Sequence, residues 1–154
     1  MSIGNLFGEP GAMAYNPHHD LWQAAKTGKE FEGEDAFLVQ AMRDHPEYHD
    51  IWDRPVELGQ PPVVINGVNP FLHVVMHSAI EAQAAQNDPP HVRAIIEFRT
   101  AHRIARHDII HAIGAVFTES LWQVLRAGKP FDNAVYQRKL NQLLPRAQRL
   151  PKGA

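Results

Sequence analysis

His73 and His77 stand four residues apart in Asn69-Pro70-Phe71-Leu72-His73-Val74-Val75-Met76-His77. On a helix that spacing sets two imidazoles about 40° apart around the axis and one turn apart along it. Two rings so placed can share one metal ion. His107 and His111, in His107-Asp108-Ile109-Ile110-His111, repeat the spacing further along the chain. Both rows are flanked by apolar residues, so both point toward an interior rather than open water. Glu81 continues the first row by another turn. Gly114 and Thr118 fall within about 20° of the His107 direction, and a glycine there leaves room for a close neighbour or a bound ligand. A third group, His45-Pro46-Glu47-Tyr48-His49, places two histidines and a carboxylate beside a proline bend. The candidate metal ligands are therefore His73, His77, His107, His111, His45, His49 and Glu81.

Four neutral imidazoles packed into a core leave polar nitrogens in need of partners. A metal ion meets that need by taking one nitrogen from each ring. Imidazole with one carboxylate suits Zn, Fe, Cu or Ni and disfavours Ca and Mg, and the expected cofactor is a divalent transition metal, Zn or Fe first. Four histidines nearly close a tetrahedral site, whereas three leave a position for water and for catalysis. With His45 or His49 and Glu81 added, ligands suffice for a second ion, so mononuclear and dinuclear sites both fit. Two other readings use the same residues. One is a protein-interaction module whose His/Glu cluster is a structural buried polar network. The other is a pH switch titrating between about pH 5 and 7. Trp22, Trp52 and Trp122 could cover a partner, including a second copy in a homodimer, or could be ordinary core. His18, His19 and His91 fall in loops or helix starts and read as solvated. His102 would sit about 140° from His107 on a continuous helix, and only a break near residues 100–105 brings it in. Glu119, about 80° from His111, is at best an indirect partner.

The composition narrows the function classes. The chain has 154 residues, with 15 Lys+Arg against 17 Asp+Glu, 10 His and no Cys, for a formal net charge of −2. The absence of cysteine removes disulfides, thiolate metal sites and cysteine nucleophiles. The near-neutral balance argues against a nucleic-acid binder. No apolar run is long enough to span a bilayer, and the start lacks the pattern of a signal peptide, so the expectation is a cytoplasmic protein with no membrane partner. Nucleophile elbows, phosphate-binding loops and dinucleotide fingerprints are missing. An enzymatic activity, if there is one, would have to come from the histidines.

The elements that must position these residues read as helices. Residues 1–17 form an irregular, Gly- and Pro-bearing arm. Helices are expected over about 18–27 and, after Gly33, from Glu34 to near His45, with Pro46 opening a new turn in Pro46-Glu47-Tyr48-His49-Asp50-Ile51-Trp52. Residues 54–69 form a long irregular connector in which Val63-Val64-Ile65-Asn66-Gly67-Val68 could pair locally. Asn69-Pro70 starts a helix running to about Gln86. From His91 to Ala127 the chain is one long helix or two meeting near Thr100, ended by Gly128. A last helix spans about 132–144, and residues 145–154 form a frayed basic tail. The fold expected is an all-α antiparallel helical bundle in a single domain over residues 1–154.

The motifs also resemble a known family. His45-Pro46-Glu47-Tyr48-His49, then Asn69 to His73 with His77, Ala79-Ile80-Glu81 and Gln83, then Asp88-Pro89-Pro90 with Arg93, resemble the bacterial domain of unknown function 1841 family. Glu119-x-Leu121-Trp122 and the turn Gly128-x-Pro130-x-Asp132 extend the similarity, which covers about residues 15–140 and is weakest over 94–106. The resemblance implies a small bacterial helical protein without an assigned activity. It also implies that Glu commonly stands in the family where this chain has His111, one potential ligand for another. Hemerythrin-like bundles share helical His pairs, but not this order and spacing, and the likeness is one of fold alone.

Overall fold

The computed structural model describes residues 17–55 and 61–153. The expected irregular arm, up to residue 16, and residues 56–60 of the connector lie outside the described residues. Within them the fold is all-α. The helices are α1 (Pro17–Lys26), α2 (Gly33–Arg43), α3 (His49–Trp52), α4 (Pro70–Gln86), α5 (Pro90–Ala101), α6 (Arg106–Ala127) and α7 (Asn133–Asn141). Short 3-10 turns at Pro46–Tyr48 and Arg146–Gln148 complete the set. None of these helices is long and apolar enough to cross a membrane.

Local chemistry explains most boundaries. The Asn69 side chain accepts from the backbone N–H groups of Phe71 and Leu72, and Pro70 fills the first position of α4. Asn87, left-handed at φ 54°, ends α4. Asp132 caps α7 by accepting from the Val135 N–H. The expected local pairing in the connector is present as a single bridge between Ile65 and Val68, turned by Asn66 and Gly67 at φ 51° and 79°. Of the two readings for residues 91–127, the structure takes the broken one. His102 donates from its ring to the Phe98 carbonyl, Arg103 turns left-handed at φ 61°, and the chain reverses into α6. The tail is folded back rather than frayed as far as Leu150. The Asn141 amide pairs with both the N–H and the carbonyl of Leu150, at 3.0 and 2.9 Å.

Helix α4 is central. It packs against α2, α5 and α6, and α7 closes on α5 and α6. Two apolar cores form on it. Ile80 joins Val92, Ile95, Ile109, Ile110, Ile113, Tyr136 and Leu140 in one. Val74 joins Trp22, Met42, Tyr48 and Trp52 in the other. Trp22 and Trp52 are therefore core residues, while Trp122 and Leu125 stay exposed on α6. Lys26 and the Trp22 indole both reach Asp53, tying α1 to the end of α3.

Two residues expected in solvent are enclosed. His91 is buried because the tight turn after α4 folds the start of α5 back into the larger core, beside Val92. The His18 ring lies between Trp52 and Phe71. His19, expected to be solvated as well, is hydrogen-bonded to the Trp52 carbonyl at 2.9 Å. A position at a helix start predicts little about exposure when the next turn is apolar.

Gly114 sets the distance between α4 and α6. A Cβ at this position would lie 2.1 Å from Met76 Sδ and 2.8 Å from its Cε. The room expected at this glycine is thus taken by a neighbouring side chain. Gly114→Ala forces the flexible end of Met76 to move, and the overpacking should cost about 1 kcal/mol after the better helix propensity of alanine is counted. Thermal melts should show the loss, and Met76→Ala added to Gly114→Ala should recover part of it. A Gly114→Ala protein that melts like the wild type would contradict this close approach.

Candidate metal centre

The two helical pairs meet across the α4–α6 interface. His73 faces His111 and His77 faces His107, with ring centroids 4.9 and 5.0 Å apart. The rising number on one helix against the falling number on the other makes α4 and α6 antiparallel here. Within α6 the His107 and His111 rings lie 4.2 Å apart, and within α4 those of His73 and His77 lie 4.9 Å apart. His45 enters from the end of α2, 4.6 Å from the His77 ring and 4.7 Å from the His73 ring.

One ring nitrogen from each of His45, His77, His107 and His111 lies within 4.8 Å of the other three. His73 adds a fifth ring, its Nε2 3.0 Å from Nε2 of His45. The orientation of His45 is fixed from behind. Its Nδ1 donates to the carbonyl of Ala41, at 2.7 Å, one of the last carbonyls of α2. The helix end thereby sets the tautomer and leaves the Nε2 lone pair facing the cluster. His77 Nε2 and His111 Nε2 are buried with no protein hydrogen-bond partner. These orphaned nitrogens are the observation that a bound cation would account for.

Burial is uneven. His45 and His77 are 1% and 6% exposed, whereas His107 is open to solvent. His77 and His107 form the floor of a cleft of about 430 Å³, whose walls are Asp44, Glu47, Glu81 and Arg106. Desolvation, then repulsion from the neighbouring rings, pushes His77 down to about 3 and His73 down to about 4. Burial also lowers His111, with His107 and His45 adding to the effect. The cluster favours neutral imidazoles, the form that ligates metal.

Two expected ligands are placed elsewhere. His49 Nε2 donates to the Met42 carbonyl at 3.1 Å, and its ring rests on Trp22. The proline bend aims only one of its two histidines at the cluster: His45, at φ −120° and ψ 70°, caps a 3-10 turn, and His49 follows on the other side of that turn. Glu81 continues the His73–His77 row, but Arg106 holds it with a two-pronged pair, Nε to Oε1 at 2.9 Å and Nη2 to Oε2 at 2.5 Å. It stands in the cleft wall, not among the rings. His102 stays at the end of α5, and Glu119 pairs with Lys139 of α7 at 2.8 Å. Arg106 and Asp44 were not singled out by the sequence. The signal for Arg106 was its place directly before His107.

An all-α chain with ring nitrogens gathered from three elements is a helical-bundle protein with an interhelical histidine cluster. The chain belongs to the DUF1841 family, a domain of unknown function whose family model matches residues 14–142. No curated protein and no solved structure matches it.

The depressed histidines set a pH dependence. An unfolded histidine titrates near pH 6.5, whereas His73 and His77 stay neutral in the fold to about 4 and about 3. Between those limits the unfolded chain binds more protons, so stability is full above the unfolded value and falls as pH drops below it. Urea midpoints of chelator-treated protein should be lower at about pH 5 than at about pH 7.5. Equal midpoints would contradict the burial of these rings.

Proposed function

We propose that the protein binds one divalent transition-metal ion between α2, α4 and α6. His45, His77, His107 and His111 are its ligands, with His73 beside them as a fifth donor. The observation that carries this reading is the pair of buried ring nitrogens without protein partners, His77 Nε2 and His111 Nε2, beside a His45 whose Nε2 meets only another ring nitrogen, that of His73. Two nitrogens on one ion at the usual distance of about 2.1 Å are about 3.0 Å apart at a right angle and about 3.4 Å apart at a tetrahedral one. The His45–His73 separation of 3.0 Å matches the right angle. Five imidazoles also outnumber the four positions of tetrahedral zinc. Between zinc and iron, both features favour iron, whose six-coordinate shell would keep one position toward the cleft beside five imidazoles. A metal-dependent reaction on a small molecule would use that position.

One observation favours a second reading. The His73 and His45 contact at 3.0 Å also serves as a plain hydrogen bond in a buried polar network. The two readings differ in what the purified protein carries. Elemental analysis should find about one equivalent of iron or zinc, and chelation should lower the melting temperature by roughly 10 °C, the size expected for tight binding. His77→Ala and His111→Ala should lose the metal, and His49→Ala should keep it. Metal-free protein with an unchanged melting temperature would decide for the network.

A further inference from the structure

The cleft above the imidazoles has one cationic wall. Among its lining residues Arg106 is the only permanent cation, against Asp44, Glu47 and Glu81. Arg106 is the first residue of α6, and the residue before it, Ala105, has no side chain to cap the helix. The first-turn N–H groups therefore lack a side-chain acceptor, and the positive end of the helix dipole lies beside the guanidinium. His77, which is 6% exposed with an unpartnered Nε2, lies at the floor of the same cleft. A fork of donors, a helix start and an orphaned ring nitrogen converge on one space.

The fork already holds a carboxylate. Glu81 accepts from both Nε and Nη2 of Arg106. Both partners are partly exposed, with side-chain accessibilities of 54% for Arg106 and 26% for Glu81. The pair is two-pronged, the strong geometry for Arg and carboxylate, yet both partners reach solvent, where an incoming carboxylate can compete for the fork. A second carboxylate can replace the first on the guanidinium with the same two hydrogen bonds. The charge of the walls limits what enters. Three carboxylates and one guanidinium sum to −2, and a divalent ion at the floor brings the total to zero. With the ion in place a monoanion leaves the cleft at −1 and a dianion at −2, so a single charge is the better match.

We propose that this cleft binds a small monocarboxylate, which takes the place of Glu81 on Arg106 and directs its other end toward the imidazoles. The inference rests on the metal reading for its charge balance. Displaced from Arg106, Glu81 stands free on α4, one turn beyond His77, where its carboxylate can accept a proton from the bound molecule. Ligand arrival and the release of this carboxylate are then the same event.

The Arg106 Nε–H resonance in ¹⁵N-correlated NMR reads the exchange directly. The whole protein would be titrated with acetate, inorganic phosphate and chloride at constant ionic strength, and the metal content of each sample measured. Acetate should shift the resonance saturably, with phosphate and chloride weaker. Glu81→Gln removes the competing charge and should tighten acetate binding by about tenfold, the usual value of one charge-assisted contact. Arg106→Gln, followed through the His107 amide, should lose the response. Unsaturable acetate shifts in Glu81→Gln, or phosphate binding tighter than acetate, would overturn the proposal. Metal-loaded protein whose Arg106 ignores acetate sinks this inference alone. Acetate binding equally tight in metal-free and metal-loaded protein would overturn the charge balance, and the proposal with it.

Discussion

Imidazole nitrogens removed from water must be given partners, and the centre of this fold is arranged around that requirement. Hydrophobic burial drives α4 against α2 and α6, but it carries polar rings inward with the aliphatic ones. Val74 and Ile80 are both fully buried on α4, and His77 lies between them in the chain. The ring cannot avoid the interior its neighbours seek. The fold satisfies His45 from behind with the Ala41 carbonyl and leaves the nitrogens of His77 and His111 facing one another's neighbourhood. A cluster of neutral bases that repel protons is a costly thing to enclose. It becomes favourable when a cation fills the space they share.

Two backbone features make the cluster geometrically reachable. Gly114 lets α6 lie against α4 with Met76 between them. A larger residue would displace the Met76 side chain one turn beyond His111. The break after α5 is the second feature. A continuous helix from Pro90 would have carried His107 past α4 along a single axis. The left-handed Arg103 instead resets the direction, so that α6 starts beside Glu81 and runs antiparallel to α4. Packing closeness and chain reversal thus act on the same few side chains.

The sequence made the helical pairs legible because i, i+4 spacing inside a capped helix is a geometric statement. Asn69-Pro70 pinned the start of α4, and the phase of His73 and His77 followed from it. No such spacing argument was open at the proline bend, where a 3-10 turn separates His45 from His49 and directs only the former at the cluster. Glu81 lay in phase, yet a partner from another element, Arg106, claimed it. No local pattern announces a tertiary ion pair. His91 was misplaced for a related reason: exposure at a helix start depends on which way the preceding turn folds, and that is set by the packing of Val92 and Ile95. The choice between one helix and two over residues 91–127 also needed the structure, because no glycine or proline marks the break.

The uneven burial of the rings separates a site for chemistry from a site for stability. A structural ion is enclosed on all sides and closes every coordination position with protein. Here His45 and His77 form a buried wall held by α2 and α4, while His107 opens on the cleft. An ion in this position would be anchored from the interior and reached from outside along the first turn of α6. That turn carries His107 on the cleft and, one residue earlier, the Arg106 guanidinium paired with Glu81. Consecutive residues on a helix point about 100° apart, so Arg106 and His107 cannot address the same point. They address two ends of one space, which suits a molecule held at one end and altered at the other.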